Sequence, residues 1–99
     1  MKITQVKTFV VNVYRTNFVF VKLETDSGLS GVGEGTLEYK ERALLGAVED
    51  LKDYLIGQDP RLIEKHTFMM YRESYWRTGP VLMSAISAVE MAMWDILGK

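Results

Sequence analysis

From residue 81 to residue 97 the chain reads VLMSAISAVEMAMWDIL; 13 of these 17 residues are apolar, and only Glu90 and Asp95 are charged. Leu82, Ile86, Val89, Met93 and Leu97 recur at helical spacing and form one stripe. Met83, Met91 and Trp94 fall outside it, so apolar surface continues around the cylinder. A helix that is hydrophobic on most sides is buried by something. The segment is short for a bilayer span and carries two carboxylates, so burial in protein is expected rather than in lipid. Ninety-nine residues make one domain at most, with a modest core. The sequence is therefore expected to be the front end of a larger protein, with an α+β domain over residues 1–80 and residues 81–99 forming a helix that leads into a further domain.

Bulk properties exclude several partners. A formal net charge of −1 gives no electrostatic reason to expect nucleic acid or an anionic membrane. The absence of cysteine removes disulfides and thiolate chemistry, and fits a reducing, cytoplasmic setting. Residues 1–13 mix Lys2, Gln5 and Lys7 among the apolar positions, so they do not read as a signal peptide.

Strand signals come first. Residues 3–14 and 18–25 are rich in Val, Phe and Thr and partly alternate, with Arg15-Thr16-Asn17 as a hairpin connection. Asp26-Ser27-Gly28 reads as a turn, and residues 29–34 as a short third strand. Gly31 and Gly33 in that strand point to an edge, a bulge or close approach by another backbone. The period then changes to that of helices. Leu44, Val48, Leu51 and Leu55 mark one face of a helix over residues 38–56, ended by Gly57. Asp59-Pro60 is a start signal for a second helix over residues 61–73, on which Leu62, Met69 and Trp76 would stack. Gly79-Pro80 breaks it, and the apolar third helix follows, closed by Gly98. Strands followed by helices predict an α+β fold, a three-stranded antiparallel meander and then three helices.

Few residue groups suggest chemistry. The lone histidine, His66, reads as a surface or capped side chain rather than a base. Glu34, Glu38 and Glu41 cluster without a histidine at ligand spacing, which suits a solvated helix N-terminus better than a metal site. The glycines of GLSGVGEG lack the lysine of a phosphate loop and follow a strand pair, so they read as strand and turn residues. Tyr75-Trp76-Arg77-Thr78-Gly79-Pro80 puts two aromatics and an arginine on an inter-helix connection, where binding residues concentrate.

The order of elements, GLSGVGEG and the ending SAISAVEMAMWDILGK resemble the enolase superfamily, in its mandelate racemase-like branch. The ending carries Ala88, Ala92, Trp94-Asp95 and Gly98-Lys99 at the family's positions, although Glu90 stands where many relatives carry Asp. The stretches at residues 53–60 and 75–86 look closer still to the acid-sugar dehydratases of that branch, of the galactonate, mannonate or gluconate type. The resemblance implies an N-terminal capping domain whose (β/α) barrel is absent from this chain. It implies a lyase reaction: a base removes the proton α to a carboxylate, Mg²⁺ held by the barrel stabilises the ene-diolate, and water is lost to give a 2-keto-3-deoxy acid. No catalytic or metal-ligating residue is then expected in these 99 residues, which alone would be inactive. The implied partners are the sugar-acid substrate, the protein's own barrel and further copies in a homo-oligomer. By resemblance, loops at residues 14–18 and 34–37 close over the barrel mouth. Asn17, Trp76 and Arg77 are the candidate substrate contacts. A stand-alone interaction module, or the cap of a racemase or cycloisomerase, remains an alternative.

Overall fold

The computed structural model describes residues 1–13, 16–72 and 78–99. In chain order these form β1 (Ile3–Val13), β2 (Thr16–Thr25), β3 (Ser30–Glu34), α1 (Glu41–Leu55), α2 (Ile63–Arg72) and α3 (Pro80–Leu97). The strands make one antiparallel sheet in the order β1-β2-β3, the meander and α+β architecture expected. Pairing continues through Asn12↔Asn17 to Val13↔Thr16, so only Tyr14 and Arg15 join the strands, and both lie outside the described residues. Asn17, expected on the connection, therefore sits within β2. The two residues that flank the turn, Val13 and Thr16, are β-branched, and the ladder extends to them. At the next turn Gly28 takes φ +86°, the left-handed conformation that only glycine adopts without strain.

Alternation sets the two faces of the sheet. Val19, Val21 and Leu23 of β2 are fully buried, while Phe18, Phe20 and Lys22 point the other way. The helices cover the first face. β3 meets α3 through Gly31 and Gly33, followed by Gly35. A Cβ on Gly31 or Gly33 would overlap the backbone carbonyl of Ala92 or Ala88, and one on Gly35 would stand 2.8 Å from the Ala88 methyl. The close backbone approach suggested by these glycines is thus made by α3, through small residues spaced one turn apart.

α1 buries the four residues expected, Leu44, Val48, Leu51 and Leu55. It starts at Glu41, not at residue 38, because Tyr39 has φ +64° and cannot lie in a right-handed helix. α2 departs further. Asp59 does not cap the helix. Its carboxylate accepts the backbone N–H of Arg61 at 2.9 Å and holds a turn that precedes Ile63. The buried face is then Ile63, His66 and Met70, one position on from the expected Leu62 and Met69; Leu62 is exposed, and Trp76 lies outside the described residues.

α3 is long and apolar enough, by length and composition, to cross a membrane; in this fold one side of it packs against the sheet and α1. Its buried residues are Ala85, Ile86, Ala88, Val89, Ala92, Met93 and Ile96. The expected stripe holds at Ile86, Val89 and Met93 and fails at Leu97, which is half exposed. The alanines explain the rotation: only they can approach the glycines of β3. α3 shares one buried cluster with the sheet and with α1.

Candidate functional site

Polar groups gather where the sheet, the β3–α1 connection and the N-terminus of α3 meet. Val19 turns both backbone groups away from β1. Its N–H donates to Thr36 Oγ1 at 3.1 Å, and its carbonyl accepts from the Gly35 N–H at 3.0 Å. Thr36 in turn donates to Glu34 Oε2 at 2.6 Å. The connection after β3 is thereby fixed against β2, two residues from Asn17. Asn17 is half-buried, and its Nδ2 donates to Glu41 Oε1, on the first turn of α1, at 3.4 Å. That bond orients the amide. Its oxygen has no partner among the described residues, so Asn17 can offer an acceptor to a ligand.

Beside this network lies a cleft of about 390 Å³ lined by Glu34, Gly35, Thr36, Pro80, Met83, Ser84 and Ser87. Pro80 opens α3 at its first position, and no side chain caps the helix among the described residues. The first N–H groups of α3 therefore have no intrahelical acceptor. The arrangement offers hydroxyls, a carboxylate and an amide, a set suited to hydrogen-bonding a polyol and not to nucleophilic chemistry. Trp76 and Arg77, the other expected contacts, lie outside the described residues. Ser84 and Ser87 escaped sequence reasoning, because two serines on a helix carry no motif; Glu41, expected only as part of a solvated helix N-terminus, instead accepts from Asn17.

A second surface is apolar. Met83, Met91, Trp94 and Leu97 stay exposed along the outer flank of α3, with Trp94 53% accessible. Phe68 and Trp94 border a groove of about 340 Å³ between α2 and α3, with Ile63, Glu64, Thr67 and Glu90. The hydroxyl of Thr67 is buried there without a partner among the described residues.

His66 belongs to neither surface; of the two expectations, a surface or a capped side chain, the structure shows the second. It is fully buried. Nε2 lies 2.6 Å from the Asp59 carbonyl, which can only accept, so Nε2 carries the proton. Nδ1 then accepts from the Tyr54 hydroxyl at 2.7 Å. Burial raises the Tyr54 pKa. The ring is a structural link between α1 and α2. Asp59 itself is held well below the usual carboxylate range by the Arg61 side chain, whose Nη2 lies 2.8 Å from Oδ2.

Residues 2–99 match the family described as mandelate racemase / muconate lactonizing enzyme, N-terminal domain. All 99 residues align at 44% identity with a D-galactonate dehydratase of Ralstonia nicotianae, covering 25% of that protein. An enolase of Pantoea ananatis, solved with D-gluconate and Mg, superimposes with a TM-score of 0.92 at 38% identity, over 98% of this chain and 24% of that one. A protein of Mesorhizobium loti described as a candidate dehydratase gives 0.93 at 37% identity, over 99% and 27%. The chain thus spans about a quarter of the length of the relatives it matches.

Proposed function

The chain belongs to the mandelate racemase / muconate lactonizing enzyme N-terminal domain family, and from that premise we propose that it caps the active site of a Mg²⁺-dependent acid-sugar dehydratase. The reaction removes the proton α to the sugar-acid carboxylate and expels the neighbouring hydroxyl as water, leaving a 2-keto-3-deoxy acid. The observation that carries this reading is the 44% identity with a D-galactonate dehydratase, extending over every residue of the chain. The gluconate-bound relative supports the same substrate class.

The metal would sit elsewhere. Among the described residues no three His, Asp or Glu side chains come together, and Glu34 and Glu41 are each engaged by a neighbouring side chain. These residues do not fit a Mg²⁺ site, so the ion and the base fall to the barrel, at the C-terminal ends of its strands. The cap supplies closure and selection. Asn17, oriented by Glu41, accepts a hydrogen bond from a substrate hydroxyl, and Trp76 and Arg77 close on the same substrate from the α2–α3 connection. The end of the sheet excludes water from the reacting carbons. The groove between α2 and α3, with the outer flank of α3, seats the barrel wall. The intact enzyme is a cytoplasmic homo-oligomer.

The test is dehydration of D-galactonate and D-gluconate by the intact protein, followed as 2-keto-3-deoxy acid. Asn17→Ala should lower kcat/KM about 10- to 100-fold, the effect of losing one specific polar contact. Residues 1–99 alone should give no product. Inactivity of the intact protein on every hexonate offered would overturn the reaction. An unchanged kcat/KM in Asn17→Ala would remove Asn17 from the site.

A further inference from the structure

β1 is uncovered in a way β2 is not. Six consecutive residues, Lys7 to Asn12, are exposed, so both faces of the strand are bare there. Phe9, Val10 and Val11 each keep nearly half of their surface in water. β1 is also a sheet edge. The direction of its free backbone groups follows from β2. Val19 spends its N–H and carbonyl on Thr36 and Gly35, so Val10, its partner across the ladder, makes no ladder bonds with it. Val10 therefore points its own N–H and C=O outward, and alternation assigns the same direction to Val6, Thr8 and Asn12. The start of the edge is closed: Ile3 bonds Gln58 and Gly57 at 2.8 Å each, and a bulge follows before Gln5. From Val6 to Asn12 no backbone partner occupies the edge among the described residues.

Free edges are normally blunted by charge, proline or a bulge. Thr8-Phe9-Val10-Val11-Asn12 has none of these. The nearest charge, Lys7, is neutralised by Glu24 at 3.2 Å. On the outer face, Phe9 and Val11 continue into Phe18 and Phe20 of β2, whose rings meet edge-on at 6.4 Å. A row of outward donors and acceptors on an apolar, uncharged strand is complementary to another strand. Antiparallel pairing makes it complementary to itself.

We propose that β1 is a homodimer edge: two copies pair their β1 strands antiparallel about a two-fold axis at Phe9, forming one continuous six-stranded sheet. Thr8 of each copy then bonds Val10 of the other, and Val6 bonds Asn12. Phe9 meets Phe9 in a non-hydrogen-bonded pair, and no like charges face each other. This isologous contact uses the edge and outer face of the sheet. It leaves the α2–α3 groove, in the helical layer, for the barrel. The inference stands independently of the dehydratase reading, because its test measures mass and not activity.

The intact protein is tested by sedimentation and light scattering, with three variants. Phe9→Cys places thiols across the axis, where the Cα separation of about 4.5 Å suits a disulfide. Mild oxidation should convert it to covalent dimers, while the unsubstituted protein treated in parallel should give none. Thr8→Pro removes only an outward N–H, and Val10→Lys puts charge on the edge. Each should cut the assembly mass at least to half, and Val10→Lys decides if Thr8→Pro fails to fold. An intact protein that is monomeric, Phe9→Cys that does not cross-link, or unchanged mass in the folded edge variants would overturn the proposal. A β1 edge covered by a strand from the same molecule would give that uncross-linked result.

Discussion

The two flanks of α3 are built on opposite rules. The flank turned to the sheet carries the helix's smallest residues, Ala88 and Ala92, set against Gly31, Gly33 and Gly35. The exposed flank carries bulky apolar residues instead, Met83, Met91, Trp94 and Leu97. Contact within the domain is made by letting backbones approach closely, where dispersion is summed over many atoms at short range. The bulky side chains are kept for a surface that the domain does not cover itself. Apolar content alone therefore does not say which side of a helix is core; fit to the facing element does.

The inner flank is the less forgiving. Gly33→Ala adds one methyl group that overlaps the Ala88 carbonyl and comes within 2.9 Å of Met91 Cβ, and neither β3 nor α3 can withdraw without breaking its own hydrogen bonds. A loss of about 3 kcal/mol is expected, at the upper end for overpacking, measured by urea unfolding. Stability within ~0.5 kcal/mol of the parent would mean that β3 and α3 are not in contact through these glycines. The outer flank should answer differently in two settings. Trp94→Ser in residues 1–99 alone should cost little, because the indole is already wet, and should raise solubility. In the intact protein the same change should cost about 2–3 kcal/mol, the value of a buried aromatic face. Equal effects in both settings would show that nothing docks on this flank.

Much of this contrast was legible in the sequence. Period-two and period-3.6 patterns located all six elements, because burial on one face writes its spacing into the chain. Gly31 and Gly33 announced a close neighbour, although not which one. What failed were the features decided by contact between distant segments. Leu97 obeys the helical stripe and is exposed, since the stripe cannot show that alanines would face β3. Leu62 and Met69 lost the buried positions to Ile63 and Met70 because the Asp59 turn delays the helix by two residues. His66 has no sequence signal for burial, since its partners are a tyrosine 12 positions away and a backbone carbonyl. At the candidate site, Asn17 was nameable only through a family likeness, and its support from Glu41 depends on a contact across 24 residues.

His66 gives a smaller test, away from both flanks. Tyr54→Phe removes the donor to Nδ1 and leaves a buried acceptor without a partner. A loss of about 1 kcal/mol is expected in thermal or urea unfolding, with kcat/KM unchanged, since the α1–α2 link touches no substrate. A drop in activity larger than the drop in stability would make the pair part of the site.

The smallest effect expected tests how α3 is held at its C-terminal end, where Asp95 reaches the backbone of β3. Asp95 Oδ2 accepts the Val32 N–H at 3.0 Å and lies 3.4 Å from Lys99 Nζ. Its pKa is lowered first by that backbone bond and then by Lys99. A carboxylate with a folded pKa below its unfolded one stabilises the fold above the unfolded value, about 4, and loses that contribution as pH falls through the folded one. Asp59, depressed by Arg61, acts with the same sign. The thermal stability of the domain should therefore fall on acidification below about pH 4. Asp95→Asn keeps an oxygen for Val32 but cannot titrate, so its stability should fall less over that interval than the parent's. Both groups are exposed, and salt should shrink the Lys99 contribution while sparing the bond to Val32. If Asp95→Asn follows the parent's acid slope, the carboxylate does not tie α3 to the edge of β3, and the small-residue contact alone sets the angle of the helix on the sheet.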